Sequence, residues 1–151
     1  MVLMKIVIRE MKNKDFNKVT NIGKAELKSS AKEIRDGISA TTDYPTAKAF
    51  VALKGGTIIG FVTVWWEAQA CKIGYIAVKK SEQNKGMGAA ITKHIEDFCK
   101  RKRLRMLHTS TQPNNKNAIE FYMANGFRRT GYRKDVFERG IDEIYFTKYI
   151  K

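Results

Sequence analysis

The segment from Lys72 to Ala90 limits what this chain can fold into more than any other. Its first half, Ile73-Gly74-Tyr75-Ile76-Ala77-Val78, is a strand-like run. Its second half enters an amphipathic helix through Gln83-Asn84-Lys85-Gly86-Met87-Gly88-Ala89. A strand that stops just before a glycine-opened helix leaves the N–H groups of the first helical turn unpaired, beside the positive end of the helix dipole. A phosphate or pyrophosphate fits there. Gly86 and Gly88 suit the role because main chain touches a diphosphate only where no Cβ intervenes, and glycine reaches positive φ at little steric cost. The loop is not a P-loop, since no Gly-Lys-Ser/Thr follows. Nor is it a dinucleotide fingerprint, since the third glycine is missing and the strand comes late in the chain.

A second motif lies downstream, in Asn115-Lys116-Asn117-Ala118-Ile119-Glu120-Phe121-Tyr122-Met123-Ala124-Asn125-Gly126-Phe127. Asn115 or Asn117 can cap this helix, with Glu120 spaced to complete a capping box on Asn117, and Asn125-Gly126 ends it in the left-handed manner. Between the motifs runs another strand, Leu104 to Thr111.

Gln83-x-x-Gly86-x-Gly88 and Asn115-x-x-Ala118-Ile119-x-x-Tyr122-x-x-x-Gly126-Phe127, in that order, resemble the two motifs of the GCN5-related N-acetyltransferase (GNAT) superfamily. The resemblance spans roughly residues 49 to 134. It implies an α/β (α+β) fold in a single domain, residues 1–151. The sheet would be central, mixed and mostly antiparallel, of about six or seven strands with about four helices, and parallel strands 73–78 and 104–111 would splay apart. It also implies acetyl transfer from acetyl-CoA directly to a primary amine. The pyrophosphate would lie on Gln83, Asn84, Lys85, Gly86, Met87, Gly88 and Ala89. The pantetheine arm would run along Ile76, Ala77 and Val78 and past Asn115. An N–H near Ala77 or Val78 would face the thioester oxyanion, a contribution of about 3 kcal/mol if well aimed.

Tyr122 matches the residue that meets the departing thiolate. Full proton transfer from a tyrosine (pKa ~10) to a thiolate (pKa ~8.5) is uphill by about 2 kcal/mol, so a strong hydrogen bond or concerted transfer is the expected role. No carboxylate stands on strand 73–78, which leaves Glu67 or a held water as general base. That absence favours an acceptor amine that is already partly neutral at pH 7, a peptide N-terminus or a small-molecule amine, over an internal lysine.

At 151 residues the chain is long enough to bury about two-thirds of its unfolded surface without metals or disulfides. Cys71 and Cys99 are distant in sequence and have no partners at metal-ligand spacing; no metal site or disulfide framework is expected, and Cys99 reads as a core residue. The apolar Met1–Ile8 stretch is too short for a signal sequence and no run is long enough to span a bilayer, so a cytoplasmic protein with no membrane partner is expected. The net charge of +14 suits an acidic partner such as RNA or a ribosomal surface and disfavours a polycationic acceptor. A basic RNA- or ribosome-binding module, and a non-catalytic acyl-CoA sensor, stand as alternatives; a homodimer is left open.

The rest of the chain reads as local pattern. Lys5–Met11 alternates as a first strand, and Asp15 can cap a helix carrying Phe16, Val19, Ile22 and Leu27. A second helix, Ala31–Ile38, should end near Gly37, with a loop from Ser39 to Pro45. Ala49–Leu53 and Thr57–Trp66 form a hairpin across Lys54-Gly55-Gly56, with a bulge expected at Gly60. Trp65 and Trp66 fall on opposite faces, so one should pack in the core and the other line a cleft, with core or rim packing expected for both. Met87, Ile91, Ile95 and Phe98 form an apolar stripe, closed by the Lys100–Arg103 run. His108 is expected to pack or to be hydrogen-bonded rather than to act as a base. Phe127–Arg133 and Ile144–Tyr149 read as a closing antiparallel pair.

Overall fold

The computed structural model describes residues 4–151; Met1–Leu3, the start of the apolar N-terminal stretch, lie outside it. Seven strands join in one mixed sheet in the order β1-β2-β3-β4-β5-β7-β6: β1 (Ile6–Glu10), β2 (Ala47–Lys54), β3 (Thr57–Glu67), β4 (Ala70–Val78), β5 (Met106–Thr111), β6 (Arg128–Glu138) and β7 (Ile141–Tyr149). Four helices accompany them, α1 (Phe16–Glu26), α2 (Ala31–Asp43), α3 (Met87–Arg101) and α4 (Lys116–Ala124). The expected fold class is the observed one. Contacts gather into two compact units, residues 4–66 with 73–95, and residues 67–72 with 96–151, so the boundary falls inside β4 and inside α3.

In the first unit, Val19 and Ile22 of α1 and Ile34 and Ile38 of α2 bury against Val51, Ile58, Phe61 and Ala77. The bulge expected at Gly60 is present: Ala52 pairs with Gly60 and Leu53 with Ile58, which leaves Ile59 as the extra residue. Gly60 also needs its missing side chain, because a Cβ there would stand 2.9 Å from the carbonyl oxygen of Ala77. Ile91 and Ile95 are buried as the apolar stripe requires, and Phe50 meets the His94 ring edge-on.

Three local expectations for this unit are corrected. The second helix does not stop near Gly37 but continues to Asp43. Gly37 serves close approach instead, since a Cβ would lie 2.5 Å from the Tyr75 ring. The start of that helix carries a capping box between Ser30 and Glu33, a spacing legible in Ser30-Ala31-Lys32-Glu33. Asp15 does not cap α1; its carboxylate, buried, accepts from the Lys12 N–H at 2.8 Å and pairs with Arg9 at 2.7 Å. Neither tryptophan is in the core. Trp65 is 43% exposed, its ring lying over Gly74, and Trp66 is half-buried.

In the second unit, β5, β7 and β6 form antiparallel ladders, and β5 makes a parallel ladder with β4 only three residues long, Ala70–Lys72 against Met106–His108. The core holds Phe98, Leu107, Tyr122, Phe127, Ile144 and Phe146. Cys71 and Cys99, distant in sequence, meet there as free buried thiols, and the hydrogen bond to Cys99, with burial, pushes the Cys71 pKa up. The α4 cap is Asn115, whose Oδ1 accepts from the Ala118 N–H at 3.3 Å, so the alternative box on Asn117 does not form. Gly126, at φ +86°, ends the helix as expected.

Candidate active site

The loop between β4 and α3 lies wholly in the first unit. After Val78 the chain makes a 3-10 turn over Lys80–Glu82, passes Asn84 at φ +61° and Gly86 at φ +82°, and begins α3 at Met87. The first intrahelical bond runs from the Ala90 N–H to the Gly86 carbonyl, 3.0 Å. Among the described residues, the N–H groups of Gly86, Met87, Gly88 and Ala89 have no hydrogen-bond partner. The space beside Gly86 is open, since a Cβ built there meets nothing within 4 Å. Four adjacent unspent donors stand at the helix mouth, with Lys79, Lys80 and Lys85 in the same loop, an arrangement that favours an anion.

The loop is braced from outside. Glu26, at the end of α1, accepts from the Lys80 N–H at 3.2 Å and from Gln83 Nε2 at 2.9 Å, and Gln83 Nε2 also reaches the Val78 carbonyl at 2.8 Å. Gln83 therefore spends its amide donors on holding the loop to the strand end. Glu82 pairs with Lys54 at 3.0 Å, and its pKa is lowered by that hydrogen bond, with Lys85 3.9 Å away. The Lys79 N–H donates to the Ile59 carbonyl at 2.8 Å, which ties the loop's first residue to the β3 bulge. Sequence reasoning missed Glu26 because its contacts lie more than fifty residues away.

Strand β4 is irregular where the arm was expected to begin: the Tyr75 N–H donates to the Thr63 hydroxyl, 2.8 Å, not to a neighbouring strand's main chain. A side chain at Gly74 would collide with that hydroxyl and with Trp65, at 2.8 and 2.7 Å. Ala77 is buried; Ile76 and Val78 are half-buried.

The second motif sits in the second unit. Tyr122 is 6% exposed, and its ring meets those of Phe121, Phe127 and Phe146 at 5.4, 5.4 and 5.7 Å between centroids. Burial raises its pKa, with the Thr109 hydroxyl acting against the shift. A phenol so placed is a poorer proton donor than free tyrosine. Asn115 is exposed and its Oδ1 is engaged in capping. Glu67 ends β3, exposed, and among the described residues its carboxylate makes no hydrogen bond or ion pair.

A strand, a bulge-anchored loop and a helix mouth with unpaired amides make an arrangement able to receive an anion. Comparison with known proteins narrows the class of protein. The profile of the Acetyltransferase (GNAT) family matches residues 8–127, and the chain belongs to that family. Two Bacillus subtilis (strain 168) proteins described as uncharacterized, YxbD and YdhI, are 31% identical over 71 residues and 30% identical over 114. The matched stretches are 47% and 64% of this chain, and 43% of YxbD and 70% of YdhI, so the chain aligns with less than half of YxbD.

Among solved structures, one assigned to the GNAT family from Desulfovibrio desulfuricans superposes with a TM-score of 0.87 at 15% identity, covering 97% of this chain and 100% of that one. The ribosomal-protein-S18-alanine N-acetyltransferase of Escherichia coli gives 0.82 at 19%, covering 97% and 95%. A GNAT acetyltransferase from Elizabethkingia anophelis with acetyl-CoA bound gives 0.77 at 22%, covering 95% and 97%. At these identities the likeness is one of fold.

Proposed function

We propose that the protein transfers an acetyl group from acetyl-CoA directly to a primary amine, with a peptide N-terminus or a small-molecule amine as acceptor. The observation that carries this reading is the row of unpartnered N–H groups from Gly86 to Ala89, beside open space at Gly86. A helix mouth that folding leaves unsatisfied is stabilised by an anion. Asn84, Lys85 and the four amides hold the diphosphate, and Gln83 with Glu26 keeps the loop in register for it. The main chain of Ile76, Ala77 and Val78 takes the pantetheine arm.

In this reading Tyr122 donates a hydrogen bond to the departing sulfur and does not surrender its proton outright, because burial makes the phenol a weaker acid. An α-amine, with pKa near ~8, needs less help to become nucleophilic than a lysine ε-amine near ~10.4, which supports the choice of acceptor. The net charge of +14 disfavours polycationic acceptors.

Two measurements test the reading. Calorimetry with acetyl-CoA at moderate salt should show saturable binding, and thiol release should appear with at least one member of a panel of primary amines. Binding without thiol release across the panel would make the protein an acyl-CoA sensor. No binding to acetyl-CoA, together with RNA affinity that falls steeply with salt, would make it a basic nucleic-acid module.

A further inference from the structure

Charge is unevenly spread over the second unit. Strands β4 and β5 begin at one end of its sheet, where β7 finishes and β6 starts: Ala70 pairs with Met106, Met106 with Tyr149, and Arg128 with Thr147. Into this end runs the link from α3 to β5, which carries Lys100, Arg101, Lys102, Arg103 and Arg105, all exposed. Arg128 and Arg129, also exposed, stand at the start of β6, two strands and about 10 Å across the sheet from β5. The opposite end, around the β6–β7 turn, is mixed: Arg133, Lys134 and Arg139 interleave with Asp135, Glu138, Asp142 and Glu143.

The backbone of the link is pinned. The Arg105 N–H donates to the Gln69 carbonyl at 2.7 Å, the Ile150 N–H donates to the Arg105 carbonyl at 2.8 Å, and Leu104 is buried. Its cations, by contrast, are mostly unspent. Among the described residues the side chains of Lys100, Arg101, Arg103, Arg105, Arg128 and Arg129 make no hydrogen bond or ion pair. Lys102 lies over the Phe98 ring, 6.0 Å from its centroid. The carboxylates in the flanking sequence are Glu67, Glu96 and Asp97, and Glu96 is paired with Lys148.

A solvated helix end explains part of this. Lys100 and Arg101 fall in the last turn of α3, where the dipole favours cations. The dipole does not account for Arg103 and Arg105 beyond the helix, nor for Arg128 and Arg129 on another strand. Gathering like charges in this way costs stability, which a bound polyanion offsets. Between the two groups of cations, on the strand that separates β5 from β6, Tyr149 is 69% exposed. An exposed ring flanked by guanidinium groups suits an unpaired base stacked beside its own phosphates. An acidic peptide offers no such base, and a duplex keeps its bases inside the stack.

We propose that this end of the second unit binds a single-stranded nucleic acid, with the arginines and lysines on its phosphates and Tyr149 against a base. The inference does not rest on the acetyl-transfer reading; it adds a macromolecular partner and gives that partner a place on the chain.

Fluorescence anisotropy with a labelled uridine RNA of about 20 nucleotides tests the surface. In the wild type, log affinity should fall with log salt at a slope of roughly −4, about −0.7 for each of the six unpaired cations. Reversing three of them together, Arg101→Glu, Arg103→Glu and Arg105→Glu, should lower affinity about thirtyfold or more and flatten the slope by about 2. Lys116→Glu, Lys134→Glu and Arg139→Glu together change the net charge equally but elsewhere on the unit. That control should stay within about threefold of the wild type near physiological salt, where distant charges are screened. Equal losses in the two variants would overturn the assignment, as would wild-type affinity for polyglutamate or for duplex RNA of the same length that matches the single strand, or no binding at low salt.

A second readout needs no variant. Ultraviolet crosslinking of the wild type to the same RNA should join uridine to the peptide that contains Tyr149. Adducts confined to other peptides would overturn the proposal.

Discussion

The loop after β4 and the helix α4 both come from motifs readable in the sequence, yet the structure uses their polar atoms in opposite ways. In the loop, four consecutive amides are left unspent, while Gln83 and Glu26 are spent on keeping them so. At α4, the motif is used by the fold as well: Asn115 Oδ1 caps the helix and the Tyr122 ring is packed among three phenylalanine rings. The difference lies in how much of each motif the fold itself uses: the loop keeps its amides unspent, whereas the α4 motif also serves the scaffold. A helix mouth left bare costs stability until an anion arrives; a capped helix and a clustered tyrosine contribute stability without one.

Four substitutions put that contrast at risk. The largest effect is expected from Gly86→Glu, which sets a carboxylate where the anion would lie and forces a non-glycine residue to φ +82°. Affinity for acetyl-CoA should fall by about a hundredfold or more, corresponding to at least two charge-assisted hydrogen bonds, as read by calorimetry. Unchanged affinity would place the anion elsewhere. Tyr122→Phe keeps the ring cluster and removes only the hydroxyl, so kcat should drop about tenfold or more while affinity for acetyl-CoA and melting temperature stay close to wild type. Equal loss of turnover and affinity would mean that the hydroxyl acts in binding.

Glu26→Gln should weaken acetyl-CoA binding several-fold with little change in kcat, because the brace loses its charge-assisted bonds to the Lys80 N–H and to Gln83. A wild-type dissociation constant in this variant would show that the loop holds its shape unaided. The smallest change should come from Asn115→Ala, which removes a helix cap and should cost about 1 kcal/mol of stability, seen in denaturant unfolding, with turnover of the folded protein unaltered. Lost turnover at full occupancy of the fold would give Asn115 a direct role at the coenzyme arm.

Elements signalled by a run of neighbouring residues were legible in advance. The hairpin at Lys54-Gly55-Gly56, the α3 stripe of Ile91, Ile95 and Phe98, and the end of α4 at Gly126 all stand where local pattern puts them. Misreadings came where a contact distant in sequence overrode a local signal. Gly37 looks like a helix end and is a contact point for Tyr75; Asp15 looks like a cap and is held by Arg9 and the Lys12 N–H. The tryptophans are apolar enough for a core, but they lie at the end of β3, where burial gives out.

By itself the sequence determined the class of fold, the position of the glycine loop and the order of the two motifs, because each depends on spacing within a dozen or so residues and on backbone preferences that act locally. Tertiary structure decided which polar atoms remain available. Glu26 reaching the loop from α1, the Thr63 hydroxyl taking the Tyr75 N–H, and the hollow that His108 lines with Tyr145 and Thr147 all arise from pairings between distant segments. Hydrogen-bond satisfaction belongs to the assembled chain, since a donor counts as unspent only once every possible partner has been placed.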